Sequence, residues 1–282
     1  MLRFMFVMFL FAGSTLWSKH ASINLQKALA LRLVKTKVLS LGGHQGRCAK
    51  LILENLTQDS MLVLVEAGRK LNSLEEMYQD ILLVKNESVL LARRETKAVI
   101  VNGFCCQAGR SSPCKNSISQ ANEMADSNLV RLARYLNAYE FENSAAQHAV
   151  WAISDHHSTA AITVGNDSLT KSLREFVAIL KDEPLPWYTL ETKSYVHKNG
   201  EIEVIPLVLR GSLGLIEEEN DYVTCMVMDE LGRPTIFIKE QWLGKGKKEF
   251  PIDVPLTGIK KGKYVLVLKT KDDVLARKEF EI

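Results

Sequence analysis

Two short stretches hold most of the side chains able to react or to bind: Phe104-Cys105-Cys106, and the run from Gln147 through His148 and Trp151 to Asp155, His156 and His157. An ionised thiol is a nucleophile, an imidazole moves protons or holds a metal near neutral pH, and an indole stacks on flat or apolar ligands. His148 and Asp155 stand two helical turns apart, so one helix face carries both. A carboxylate behind an imidazole is the pairing that orients a metal ligand. The spacing stops short of a metal site, because adjacent His156 and His157 point to different sides of a helix or strand and no HExxH pattern surrounds them. No G-x-S-x-G elbow marks a serine for acyl transfer. The acidic run 217–221 lacks the glycine-punctuated alternation of a calcium loop and reads as a solvated hairpin turn. The expectation is therefore no metal and no cofactor, with Gln147, His148, Trp151, Asp155 and His156 as candidate binding residues at a helix end.

The chain has five cysteines, Cys48, Cys105, Cys106, Cys114 and Cys225, so at least one thiol stays unpaired. Residues 107–113 are rich in Gly, Ser and Pro, and Cys105 or Cys106 bonded to Cys114 would close that loop. Cys106–Cys114 is the candidate disulfide; closing so short a loop contributes about 2–3 kcal/mol in the chain-entropy account. Cys225 lies in the apolar run 222–228 and is expected as a buried free thiol.

Oxidation of that kind requires export, and residues 1–21 have the layout of a signal peptide. Arg3 precedes an unbroken apolar run from Phe4 to Ala12, followed by small or polar residues. The run is too short to cross a hydrocarbon core of about 30 Å, and no second apolar run approaches that length. With cleavage between Ser18 and Ser22, the chain is expected to be secreted, periplasmic or held at the cell surface, without a membrane span. Its 36 basic and 33 acidic residues leave a net charge of +3. That excess is too small, and too scattered among turn glycines from 245 to 263, to track a phosphate backbone, so nucleic acid is not an expected partner. An apolar share of 46% and a charged share of 24% are those of a folded globular chain.

The elements that must position these side chains follow from hydrophobic period. From 22 to 120, short alternating runs such as Leu29-Leu31-Leu33, Ala49-Leu51-Leu53, 61–65, 80–84, 89–92 and 98–104 are separated by turn residues, which predicts an antiparallel β-sandwich. From 121 to 188 the period becomes helical, with helices expected over 127–137, 144–153 and 169–180, capped by Asp126 or Ser127 and by residues 166–168. From 189 to 282 the pattern is strands again, ending in the hairpin 264–280. The fold class is mainly β with a helical insertion (α+β): three short helices packed on a first sandwich, then a second one.

Asp229-Glu-Leu-Gly-Arg233, Phe250-Pro-Ile-Asp-Val254, Lys261-Gly-Lys-Tyr-Val-Leu-Val-Leu268 and Lys278-Glu-Phe-Glu-Ile282 resemble the small Ig-like modules at the ends of secreted bacterial proteins. They are similar to the flagellar hook-capping Ig-like domain and to the C-terminal sorting domains of type IX secretion, found in Bacteroidota-type proteins. The resemblance spans about sixty residues and implies an Ig-like sandwich, in which the D-x-x-G-R glycine permits a turn and Tyr264 anchors the last hairpin. The Asn-Pro opening usual in true sorting domains is missing here. A second, local resemblance links Ala146-Gln-His-Ala-Val-Trp151 and Phe104-Cys105 to the thioester domains of bacterial surface adhesins, although the separation along this chain is far shorter. It implies a covalent bond between Cys105 and Gln147 that captures an amine. The expected function is a non-catalytic binding, adhesion or envelope-structural protein with a protein or glycan partner. The alternative is a thioester adhesin, or an extracytoplasmic enzyme, built on Cys105, Gln147 and His148.

Overall fold

The computed structural model describes residues 22–163, 168–217 and 220–282. The expected leader, the Asn166-Asp167 part of the last helix cap and the middle of the acidic run lie outside the described residues. The first described elements correct the sequence reading. Strand β1 (Ser22–Asn24) leads directly into a helix, α1 (Leu25–Ala30), where leucine alternation predicts a strand. Asn24 caps it, its Oδ1 accepting the Lys27 N–H at 2.9 Å. Gln26 to Ala30 are strong helix formers, and helical spacing buries Leu25 and Ala28 together while leaving Leu31 56% exposed.

Strands β2 (Val34–Ser40), β3 (Gln45–Asn55), β4 (Met61–Val65), β5 (Arg69–Ser73), β6 (Ile81–Leu83), β7 (Glu87–Leu91), β8 (Thr96–Cys105) and β9 (Ile118–Met124) follow. The class is the β-rich α+β one expected. Its first part, however, is a closed barrel in the order β2-β3-β8-β6-β5-β9 beside a three-stranded sheet β1-β4-β7, where an open sandwich is predicted. Barrel and sheet share one core, in which Leu51, Leu53, Leu71 and Ile81 meet Val63, Val89 and Leu25. Closure depends on the end of β8, which pairs with β3 on one side and β6 on the other. At Gly103 a Cβ would stand 2.5 Å from Ile81 Cγ2 and 3.0 Å from the Leu82 carbonyl. Only glycine lets β6 approach that closely.

Helices α2 (Ser127–Ala138), α3 (Asn143–Ser154) and α4 (Ser168–Lys181) appear where the helical period predicts them, with a 3-10 turn at Thr159–Ala161. Of the two expected caps for α2, Asp126 serves, accepting the Asn128 and Leu129 N–H groups at 3.0 and 3.1 Å. The helices cover the outer face of β6 and β8, where Leu82, Phe104 and Cys106 meet Leu132, Ala146, Val150 and Leu173.

The remaining strands are β10 (Tyr188–Val196), β11 (Ile202–Glu217), β12 (Asp221–Asp229), β13 (Pro234–Leu243), β14 (Gly246–Pro255), β15 (Lys263–Lys269) and β16 (Val274–Glu281). They form two sheets, β10-β11-β14 and β13-β12-β15-β16, packed over Leu209, Val223, Phe250, Leu266 and Phe280. The motif residues have the local roles expected of them. Gly232 takes a φ of 73° in a turn held by Asp229, which accepts the Leu231 and Arg233 N–H groups. Arg233 Nε also donates to Asp229 at 2.7 Å, and this contact holds the carboxyl below its ordinary range. Tyr264 stacks on Phe280 at 5.7 Å and donates its hydroxyl to the Lys260 carbonyl.

Barrel closure makes a sharp test. Gly103→Ala is expected to destabilise the protein by about 1–3 kcal/mol through overpacking. It would appear as a lower denaturant midpoint at unchanged slope; an unchanged midpoint contradicts the β6–β8 approach described.

Candidate functional site

Helix α3 carries three of the candidate residues, and each is directed at a different neighbour. Gln147 faces the end of β8. Its Nε2 donates to the Cys105 carbonyl at 2.8 Å and its Oε1 accepts the Cys105 N–H at 3.2 Å, an N–H that also reaches the His44 carbonyl at 2.9 Å. The side chain thereby continues the sheet's hydrogen bonding past its last strand residue. Gln147 and Cys105 do meet, but through Cys105's backbone. The Cys105 side chain belongs to the barrel core, whereas its neighbour Cys106 belongs to the helical core on the other face of the strand.

That alternation also corrects the disulfide expectation. All five cysteines are free. Cys106 is buried under the helices, while Cys114 is exposed and lies 2.9 Å from the Tyr78 hydroxyl, so Cys106–Cys114 does not form. Burial pushes the Cys105 and Cys106 thiols well above their ordinary range and the Cys48 and Cys225 thiols up to about 11. Thiols held protonated in this way are poor nucleophiles.

His148 faces β10, sharing a hydrogen bond of 3.2 Å between its Nε2 and Thr192 Oγ1. Trp151, 1% exposed, packs against Ala108, Ile202 and Val204. Three imidazoles surround its indole: His44 stacked at 6.1 Å, His148 edge-on at 5.8 Å and His157 tilted at 5.9 Å. Burial holds His148 down to about 4, with His157 adding a smaller push, and burial lowers His44 and His157 as well. His148 Nδ1 and Trp151 Nε1 are buried without a hydrogen-bond partner. Asp155 closes the helix end, accepting the Ala108 N–H at 3.0 Å and the Ser154 hydroxyl at 2.6 Å. His156 stands apart, exposed and in the left-handed region at φ 55°.

The structure therefore gathers Gln147, His148, Trp151 and Asp155 and leaves His156 outside. It adds His44, Thr192, Ile202 and Val204, which no spacing rule connects to α3. Gln147 and Asp155 have their polar atoms bonded, whereas His148 Nδ1 and Trp151 Nε1 face no partner. Among the described residues, no three His, Cys, Asp or Glu side chains gather as metal ligands would.

No family model matches the sequence, and no curated protein matches it. Among solved structures, a β-glucosidase from Kluyveromyces marxianus is similar over 83% of this chain and 44% of that chain, at 13% identity and a TM-score of 0.21. This chain spans less than half of that enzyme's length, and so low a TM-score carries no argument about fold or activity.

Gln147→Leu keeps the volume but leaves the buried Cys105 carbonyl without its partner. A loss of about 1–3 kcal/mol is expected on unfolding in denaturant; wild-type stability in this variant would contradict the clamp.

Proposed function

We propose that the protein is a non-catalytic binding protein, exported to the periplasm, the cell surface or the medium, that engages a protein or glycan through the outer face of its C-terminal sandwich. The observation carrying this reading is a group of exposed aromatic side chains on one sheet. Tyr222 and Trp242 are directly opposed across β12 and β13, with ring centroids 5.0 Å apart, and Phe237 opposes Met226 two positions along the same face. Tyr222, Trp242 and Phe237 remain 55%, 54% and 66% exposed. Large aromatic rings left in water on a rigid sheet lose little conformational entropy on binding and are typical anchors of recognition surfaces. The side chains with reactive chemistry, in contrast, are committed to packing around α3. Export rests on the leader pattern of residues 1–21.

The test is binding to a printed glycan array and to proteins of the native envelope fraction, with a Tyr222→Ala/Trp242→Ala variant of unchanged thermal stability alongside. Wild type is expected to bind in one of the two formats and the variant to lose about tenfold or more in affinity. Equal binding by the variant, or none by either protein, contradicts the proposal.

A second reading has the meeting of Gln147 and Cys105 in its favour. A thioester would form if Cys105 Sγ displaced ammonia from the Gln147 carboxamide, creating a C–S bond open to amines. Against it, both ends of that carboxamide are spent on Cys105's backbone and the thiol sits in the barrel core. Intact mass of the natively exported protein, before and after methylamine, separates the two. The expected result is a leader-free mass with all five thiols titratable after unfolding and no methylamine adduct; a mass short by one ammonia, or an adduct at Gln147, would install the covalent reading instead.

A further inference from the structure

The seam between the helix-covered barrel and the C-terminal sandwich has an unusual composition. Its apolar part around Trp151 is a small cluster, Ala108, Trp151, Ile202 and Val204, separate from the three large cores. Beside it, the 3-10 turn's Ala160 packs on the sandwich core. The polar part is a hairpin contact, in which Ser112 N–H donates to the Gly200 carbonyl at 3.2 Å and Ser111 Oγ to the Asn199 carbonyl. Ser111 also bridges Glu201 and Ser158 bonds Tyr188, and three imidazoles stand at the indole: His148 on Thr192, with His44 and His157 on its other sides.

We propose that this seam is an acid-released latch: neutral His148 and His157 packed on Trp151 hold the sandwich against the barrel, and protonating them drives the two apart. Burial opposes protonation of both histidines, and charges of both signs act beside it. His148 and His157 pack on the same indole, and the charge of His157 opposes charging of His148. Lys181, from the end of α4, donates to the His157 carbonyl at 2.9 Å, and Lys261 reaches His157 from the β14–β15 loop of the sandwich. A protonated His157 is therefore opposed by the charge of Lys261 on the sandwich side. Asp155 at the end of α3 is the opposing charge and a larger single influence on His157 than either lysine, so burial, the leading cause, is what keeps His157 neutral in the closed form. Glu183 is paired with Lys181 at 3.0 Å, and the remaining seam histidine, His197, is paired with Glu203 at 2.9 Å on the outside of its hairpin.

Opening also has a favourable side, because it hydrates His148 Nδ1 and Trp151 Nε1, which have no partner while the seam is shut. The sign follows from linkage. Both histidines bind protons less readily in the closed form than the ordinary value of 6.5, His148 down to about 4. The closed form is thus fully favoured above about pH 6.5 and loses ground as pH falls through the window toward 4. His44, lowered by burial alone, adds in the same direction.

Small-angle X-ray scattering of the protein from pH 8 to 4, with far-UV circular dichroism on the same samples, tests this. The radius of gyration is expected to stay constant to about pH 6.5 and then rise while the β signal is unchanged. His148→Gln and His157→Gln should weaken or remove the acid step, and Lys261→Ala should move it to lower pH. No expansion by pH 4, expansion only together with loss of secondary structure, or a midpoint unmoved in all three variants would overturn the latch. His157→Gln and Lys261→Ala alter sites at the rim of the seam, so they report even if His148→Gln fails to fold.

Discussion

Every residue of α3 from Ala145 to Ala152 is buried, so each side of this helix must find its partner inside the protein. A helix surrounded in this way normally carries only apolar side chains. This one also carries an amide, an imidazole and an indole, and burying those groups is unfavourable unless their polar atoms are bonded. The surroundings meet that demand only in part: the end of β8 bonds both ends of the Gln147 amide and Thr192 on β10 bonds His148 Nε2, while Trp151 fills a pocket of Ala108, Ile202 and Val204 and its Nε1, like His148 Nδ1, has no partner. Barrel, helical layer and sandwich are positioned by this one helix, because each supplies one of its walls.

The same constraint explains why reactive-looking residues are not arranged for reaction. Catalytic groups are held within reach of a substrate-sized space with their polar ends free. Gln147 has both polar ends engaged, Asp155 holds a loop N–H and a helix hydroxyl, and the thiols of Cys105 and Cys106 lie in separate cores on opposite faces of one strand. Surface chemistry is found instead on the sheet far along the chain, where Tyr222, Phe237 and Trp242 stand in water.

Local features were legible in the sequence and long-range closures were not. The helices at 127, 143 and 168 begin within a residue of where the 3.6 period places them, and the Asp229–Arg233 turn and the Tyr264 anchor follow from their motifs. Helix α1 was hidden because its leucines also fit an alternating pattern, and only the Asn24 cap signals otherwise. The barrel was hidden because its closure rests on Gly103 meeting Ile81 and Leu82, a contact between strands that no local pattern encodes. His44 and Trp151 are likewise distant in sequence and adjacent in space. Alternation in 222–228 marks Val223, Cys225 and Val227 as inward, but nothing in it shows that the outward Tyr222 would be left uncovered beside Trp242.

The central claim is that α3 is a keystone held on all sides, and amide hydrogen exchange followed along the chain tests it most directly. Above about pH 6.5, where the seam is shut, backbone amides of 145–152 should exchange as slowly as those of β3 and β8 and by the same global opening. Rapid exchange of α3 while the barrel strands stay protected would contradict the account, because the helix would then be a mobile cover over a site and not the element that joins the parts.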